Sequence, residues 1–204
     1  MGKIKKDIED LIKENRGKTK AIIKSRIWFE KASIAMRDNS VAFTRDPFKP
    51  GMIYVFRYDK PKHIATLPWW DKNPVVLALD PTDAGNDCGI NLNLLPVDVK
   101  EDLLDLIYER MQGLIKSASS GNKMYNAKTQ APIKLDYKGA KRFLDQFGLG
   151  FAIRQYIPNL KQKQKVVSYE NWAQIALCDF LELEGITINE LRRQFSNYLK
   201  NKDI

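Results

Sequence analysis

The most regular hydrophobic pattern in the chain lies near its start and is helical. The apolar positions are Ile4, Ile8, Leu11 and Ile12, separated by lysines and acidic residues. This spacing predicts a short amphipathic helix that ends near residues 15–17, and a second helix is predicted over residues 20–37. The apolar face of the first helix would pack on its own domain or on a neighbouring subunit. Ile4, Ile8 and Leu11 are therefore candidate protein-interface residues.

Strand-like patterns occupy the next part of the chain. In "MIYVFRYD" the β-branched residues Ile53 and Val55 face one side, and Tyr54, Phe56 and Tyr58 face the other. "PVVLALD" is apolar almost throughout, which predicts a strand buried on both faces. "GINLNLLP", residues 89–96, alternates apolar residues with asparagine and predicts a third strand. Three antiparallel strands in this order predict a meander or a small barrel.

Helical patterns return in the second half of the chain. "DVKEDLLDLIYERMQGLIK" predicts a helix with Asp98 as N-cap, in a capping box with Glu101. Its expected buried face consists of Leu103, Leu104, Ile107, Met111 and Leu114. Further helices are predicted from Asp136, around residues 172–181 and at the C-terminus, with a partly helical stretch after residue 149.

The fold class that follows is α+β, a small antiparallel, SH3-like or barrel-like sheet flanked by helices. The predicted organisation has a helical arm over residues 1–45, a core over residues 46–181 and a C-terminal helix over residues 182–204.

Charge is distributed unevenly along these elements. The 204 residues carry a formal net charge of +9. Between Lys116 and Lys165 there are 11 basic and 2 acidic residues, a net of +9, so the rest of the chain sums to zero. Such a segment predicts salt-sensitive contact with phosphate, without sequence preference; the alternatives are contact with an acidic subunit or a solvated face. The candidate DNA contacts are Lys138, Lys141, Arg142, Arg154, Lys161, Lys163 and Lys165. The last three alternate along "NLKQKQKVV", so on an extended strand they would point the same way.

The residues expected of a catalytic or metal site are missing. His63 is the sole histidine. The two cysteines, Cys88 and Cys178, lie far apart in the sequence, and we interpret them as ordinary thiols. Asp80, Asp83 and Asp87 cluster in a turn that does not follow the EF-hand pattern. No P-loop, zinc-binding or nucleophile motif occurs. We predict no enzyme activity, no cofactor and no metal. No apolar run approaches the ~18 residues of a membrane span.

Several motifs together resemble one family. They are "SRIWFEKA", "PGMIYVFRYDKPK", "LPWWDKNPVVLAL", "GINLNLLP" leading into "LLDLIY", and "SYENWAQIAL". In this order they resemble the DNA end protector proteins of T-even-type tailed phages, over most of residues 25 to 181. In the "LPWWDKNP" loop, Trp69 and Trp70 would point in opposite directions, and Asp71 would bond backbone amides of its own turn. The pair is a structural corner or an anchor for a neighbouring subunit or DNA.

The resemblance implies a non-enzymatic virion protein, found in the host cytoplasm during assembly. It would sit at the head–tail connector or neck, or on packaged DNA ends, and contact DNA through the basic segment. Its partners would be portal, neck or tail subunits and double-stranded DNA ends, with no membrane, and it would be oligomeric in the particle. The alternative is a pure assembly subunit of the neck, tail or baseplate that does not bind DNA. A nuclease is a third hypothesis, against which the missing carboxylate–histidine cluster argues.

Overall fold

The fold is known from a computed structural model that describes residues 2–37, 47–58, 71, 73–81, 85–119, 136–178, 190 and 193. The helices are α1 Lys3–Glu14, α2 Lys18–Arg37, α3 Val97–Ser119, α4 Tyr137–Asp145 and α5 Trp172–Leu177. The strands are β1 Ile53–Tyr58, β2 Val75–Ala78, β3 Asp87–Asn91, β4 Ile153–Tyr156 and β5 Lys161–Val167. This arrangement confirms the predicted α+β class.

Helix α1 forms where the apolar spacing predicted it, and it is built into the core. Ile4 and Ile8 are buried, with Leu11 partly buried against the same apolar cluster, and the helix packs on α3 and α5. The carboxylate of Asp105 on α3 caps the N-terminus of α1, accepting from the Ile4 amide at 2.6 Å and the Lys5 amide at 3.3 Å. As a correction, Ile4 and Ile8 are core residues and are not available to another protein in this fold.

The strands form one antiparallel sheet in the order β4-β3-β2-β1-β5. One row of side chains crosses all five strands in register, through Val167, Ile53, Leu77, Ile90 and Ile153. This row belongs to the main apolar cluster, which also contains residues of α1, α3 and α5. The helices therefore cover this face of the sheet, and its burial provides most of the described core.

The opposite face of the sheet is aromatic and concave. Its cluster contains Phe48, Tyr54, Phe56, Tyr58 and Tyr156. The Phe56 ring on β1 lies 5.2 Å from the Tyr156 ring on β4, between centroids. Two strands separate β1 from β4, about 14 Å in a flat sheet, so the sheet curls around these rings.

The curl also explains how the two edge strands are connected. β4 ends at Tyr156 and β5 begins at Lys161, although they lie at opposite edges. Residues 157–160 span this distance through the 3-10 helix Pro158–Leu160, and the Ile157 amide donates to the Tyr58 hydroxyl. The sheet is thus open but strongly curled; its likeness to an SH3 domain stays a prediction.

Two local predictions were wrong and a third was incomplete, because the stretch predicted to be partly helical has the 3-10 helix Gly150–Ala152 and also a strand. The third strand ends at Asn91, whose side chain accepts from the Asn93 amide and so starts the 3-10 helix Leu92–Leu94. The stretch predicted to be partly helical contains β4. Helix α3 begins at Val97, so Asp98 lies in its first turn instead of at the N-cap.

Glycine at position 89 is required by close strand packing. A Cβ atom there would lie 2.2 Å from Cγ1 of Val76 and 2.8 Å from the carbonyl oxygen of Leu77 on the neighbouring strand. Both cysteines are buried free thiols, as predicted, and burial raises the pKa of Cys88 to about 11.

Several sequence predictions concern residues outside the described ranges. They include His63, Trp69 and Trp70, and most of the C-terminal helix over residues 182–204. The predicted domain boundaries stay predictions. Within the ranges given above, no helix is both long and apolar enough to span a membrane.

Candidate nucleic-acid interface

Helix α4 carries three of the predicted DNA contacts on its exposed side. The helix starts at Asp136 as predicted, and the Asp136 carboxylate caps it by accepting from the Gly139 amide. Ala140 and Leu144 are buried and attach the helix to the core. Lys138, Lys141 and Arg142 are exposed, and their i, i+3 and i+4 spacing places them side by side. We call these three residues the α4 cationic face.

One member of this face already has an acidic partner. The ammonium group of Lys141 pairs with the carboxylate of Asp145, one turn later. The hydrogen bond to Asp145 raises the pKa of Lys141, so the lysine remains charged. Both side chains are exposed, and an exposed pair of this kind contributes little stability. Lys141 can therefore exchange Asp145 for a phosphate group at small cost.

Lys161 occupies a different environment, inside the curled sheet. Its side chain is fully buried and its ammonium group forms an ion pair with Asp87 on β3. The ammonium also lies 4.3 Å from the centroid of the Phe48 ring. The other Asp87 oxygen accepts from the Phe48 amide at 2.9 Å. Lys161 thus joins β5 to β3 across the concave face.

The predicted row of three lysines on β5 does not form. Lys163 has a φ of 54°, in the left-handed region, and the register with β1 shifts between Val55 and Arg57. This irregularity interrupts the alternation of side chains along the strand. Lys163 is buried, whereas Lys165 is exposed. The prediction that Lys161, Lys163 and Lys165 share one exposed face is therefore wrong.

Arg154 on β4 is only partly exposed. Its register partner on β3 is Gly89, and Tyr156 follows two residues later on the same face of the strand. Burial lowers the pKa of Arg154 to about 10, with Tyr156 acting weakly in the opposite direction. Burial also raises the pKa of the Tyr156 hydroxyl well above its usual range. At neutral pH, Arg154 is a charged group inside the sheet edge.

Asp71 forms a hydrogen-bonded hub at the end of the "LPWW" motif. One carboxylate oxygen accepts from the Asn73 amide at 3.0 Å, which confirms the predicted bond within its own turn. The other oxygen accepts from the side-chain amides of Asn91 at 3.1 Å and Asn93 at 2.5 Å. Burial raises the pKa of Asp71, and the three bonds oppose that shift. Sequence reasoning did not identify the two asparagines as partners, because they lie on another element.

The seven predicted DNA contacts therefore divide into two groups. Lys138, Lys141, Arg142 and Lys165 are exposed, whereas Lys161, Lys163 and Arg154 lie in or at the edge of the curled sheet. In the described part of the chain, no three His, Cys, Asp or Glu residues group as metal ligands would. On α4 the three exposed cations, offset in part by Asp145, give the α4 cationic face a positive charge.

Comparison with known proteins supports the motif-based resemblance. The family model described as phage T4 terminal DNA protecting protein matches residues 2–197. No curated protein and no solved structure matches the chain. The match extends over both helices of the N-terminal arm, the sheet and the basic segment, and it confirms the resemblance to DNA end protectors. The chain belongs to the phage T4 terminal DNA protecting protein family.

Proposed function

We propose that this protein binds the ends of linear phage DNA and shields them, as a non-enzymatic component of the virion. The observation that carries the proposal is the family match over residues 2–197. The α4 cationic face supports it, because exposed lysine and arginine side chains on one helix surface suit phosphate contact. Shielding needs only occupancy of the end, so it requires no catalytic group.

The phosphate contacts in this proposal are the exposed cations Lys138, Lys141, Arg142 and Lys165. Each contact would release counterions from the DNA, which makes binding sensitive to salt and insensitive to sequence. Lys161 and Lys163 have the supporting role of holding β5 in the curled sheet, and Arg154 shares it at β4. The basic residues between positions 116 and 135 would add further contacts.

The proposed location is the head–tail connector or the packaged DNA ends. Portal, neck or tail subunits would be its protein neighbours there, and the protein would be present in the host cytoplasm during infection. Its specificity for ends would come from the shape of the terminus together with phosphate contacts, since no base-reading motif occurs in the sequence.

The test is binding of the purified protein to blunt-ended linear DNA and closed circular DNA of equal length, across a salt series. We expect tighter binding to the linear form. Equal binding to both forms would contradict the end-specific proposal, and no binding at low salt would leave only the assembly role.

A triple variant tests the α4 cationic face. Lys138→Ala, Lys141→Ala and Arg142→Ala together should weaken binding to all sequences and reduce the salt slope by about one for each cation. The matched control removes three exposed cations elsewhere, Lys6, Lys13 and Arg110. A triple variant that binds like this control would remove α4 from the interface.

A further inference from the structure

The zero net charge outside the basic segment conceals a separation of charge between α2 and α3. On α2 the exposed residues Lys20, Ile23, Lys24, Ile27 and Lys31 lie at helical spacing, with the exposed Glu30 at their edge. We call the first five the basic stripe. Ile23 is 50% exposed and Ile27 is 45% exposed. On the other side of the helix Ala21 and Ser25 are buried, so the stripe points away from the core.

Helix α3 carries a stripe of the opposite sign. Its exposed residues Asp98, Asp102, Leu106 and Glu109 lie at helical spacing, with the exposed Arg110 beyond Leu106, and we call these four the acidic stripe. Leu106 is 38% exposed at its centre. Leu103, Leu104 and Ile107 form the buried face of the same helix. The two stripes are therefore of opposite charge, each with an exposed apolar side chain at its centre, and such complementarity favours electrostatically steered docking.

The two stripes lie on different flanks of the helical layer. Helices α1 and α5 each pack on both α2 and α3, so they lie between them. Both stripes face solvent, and among the ion pairs of the described residues none joins a lysine of the basic stripe to a carboxylate of the acidic stripe. A second copy can bring its acidic stripe to the basic stripe of the first.

We propose that the basic stripe of one copy docks on the acidic stripe of another copy. Three lysines would meet three carboxylates, and the isoleucines would cover the leucine. Asp102 has an exposed ion pair with Lys5 at 2.6 Å, which is weak enough to open on contact. The contact joins two different surfaces, so a bound pair still has one free basic stripe and one free acidic stripe for further copies. Assembly then continues into a ring or a short row, independently of DNA.

Charge reversal provides a specific test. One variant carries Lys20→Glu, Lys24→Glu and Lys31→Glu, and a second carries Asp98→Lys, Asp102→Lys and Glu109→Lys. Each variant has two stripes of the same sign, whereas a mixture of the two variants restores opposite pairs. Sedimentation velocity of each protein and of the mixture, without DNA and over a range of concentration and salt, measures the association. The matched control reverses Lys6, Lys13 and Lys49, which are exposed outside both stripes and outside the α4 cationic face.

The expected result is concentration-dependent association of the wild type and of the control that weakens as salt rises. Each reversed variant alone should be monomeric at concentrations where the wild type associates, and the mixture should associate again. Association of the mixture also shows that both variants are folded. A wild type that stays monomeric throughout overturns the proposal, as does association that survives both reversals. If the wild type is monomeric and reversal of the three α2 lysines abolishes DNA binding, the basic stripe contacts DNA instead of a second copy.

Discussion

The described lysines of β5 differ in burial, and this difference determines which roles they can have. Lys161 and Lys165 lie on the same strand, only four positions apart. Lys161 is enclosed with Asp87 beneath the Phe48 ring, whereas Lys165 projects into solvent. The first can stabilise the fold, and the second can contact a partner. Sequence spacing alone does not separate these two roles, because it contains no information about the φ of Lys163.

The buried ion pair gives a prediction about stability. Lys161→Met should lower the free energy of unfolding by about 3–5 kcal/mol, because it leaves the Asp87 carboxylate buried without its counter-charge. Adding Asp87→Asn should recover part of that loss, since the amide oxygen still accepts from Phe48. Urea denaturation measures both. Lys165→Met, on the exposed position, is the control and should change stability by less than about 0.5 kcal/mol. Equal effects at the two positions would contradict this assignment.

Asp71 gives a prediction about pH. Its pKa in the folded protein lies above the ordinary value of 3.8, mainly because the carboxyl is buried. Between pH 3.8 and the folded pKa, most unfolded chains have lost this proton and most folded chains retain it. The folded state therefore binds more protons in this interval. The contribution of Asp71 to stability is therefore complete below pH 3.8 and falls as pH rises through the folded pKa.

The comparison with Asp71→Asn isolates this effect, because asparagine does not titrate. The free energy of unfolding of the wild type, minus that of the variant, should decrease as pH rises above 3.8. Urea denaturation of both proteins over this interval measures the difference. A difference that increases with pH would show that the hydrogen bonds of Asn73, Asn91 and Asn93 outweigh burial.

At the scale of elements, α1 depends on a cap from a distant part of the chain. Asp105→Ala removes the acceptor for the Ile4 and Lys5 amides and should cost about 1–2 kcal/mol of unfolding free energy. Asp105→Asn retains one acceptor and should cost less. Asp102→Ala, which removes the exposed partner of Lys5, should change stability by less than about 0.5 kcal/mol. Guanidinium denaturation compares the three. If Asp105→Ala resembles Asp102→Ala, the cap does not hold α1 in place.

Local sequence patterns predict some of these elements and not others. β1 and β2 were predictable because each has a strong pattern: two-sided alternation in β1, and continuous apolar residues in β2. β4 was missed because only Tyr156 of its four residues is buried, which leaves no period for the sequence to show. The early end of β3 depends on a side-chain bond from Asn91 to the backbone, which competes with strand pairing.

The candidate site was predictable only in part, because local sequence determines the α4 cationic face but not the environment of Lys161. The α4 cationic face follows from helical spacing and the Asp136 cap, both of which are local. The burial of Lys161 depends on Asp87, 74 positions away, and on the curl of the sheet. The net charge of the chain did not reveal the stripes on α2 and α3, because their opposite charges cancel in the sum. Which charged residues face solvent on each helix is known only from the packing of the helices.

At the scale of the whole molecule, the charged surfaces have separate proposed tasks. The α4 cationic face and Lys165 would meet DNA, and the stripes on α2 and α3 would join copies of the protein. A row or ring of copies would multiply the number of DNA contacts, so weak individual contacts would give firm attachment to one terminus.

Shielding of DNA ends is tested by protection of linear DNA against an exonuclease that starts at double-stranded ends. We predict that the wild-type protein slows degradation of blunt-ended linear DNA, and that the triple alanine variant of Lys138, Lys141 and Arg142 protects less. The Lys6, Lys13 and Arg110 control should protect as the wild type does. An endonuclease acting on circular DNA should be unaffected at the same protein concentration. Degradation of the linear DNA at the rate seen without protein, under conditions where the protein is bound, would contradict the account.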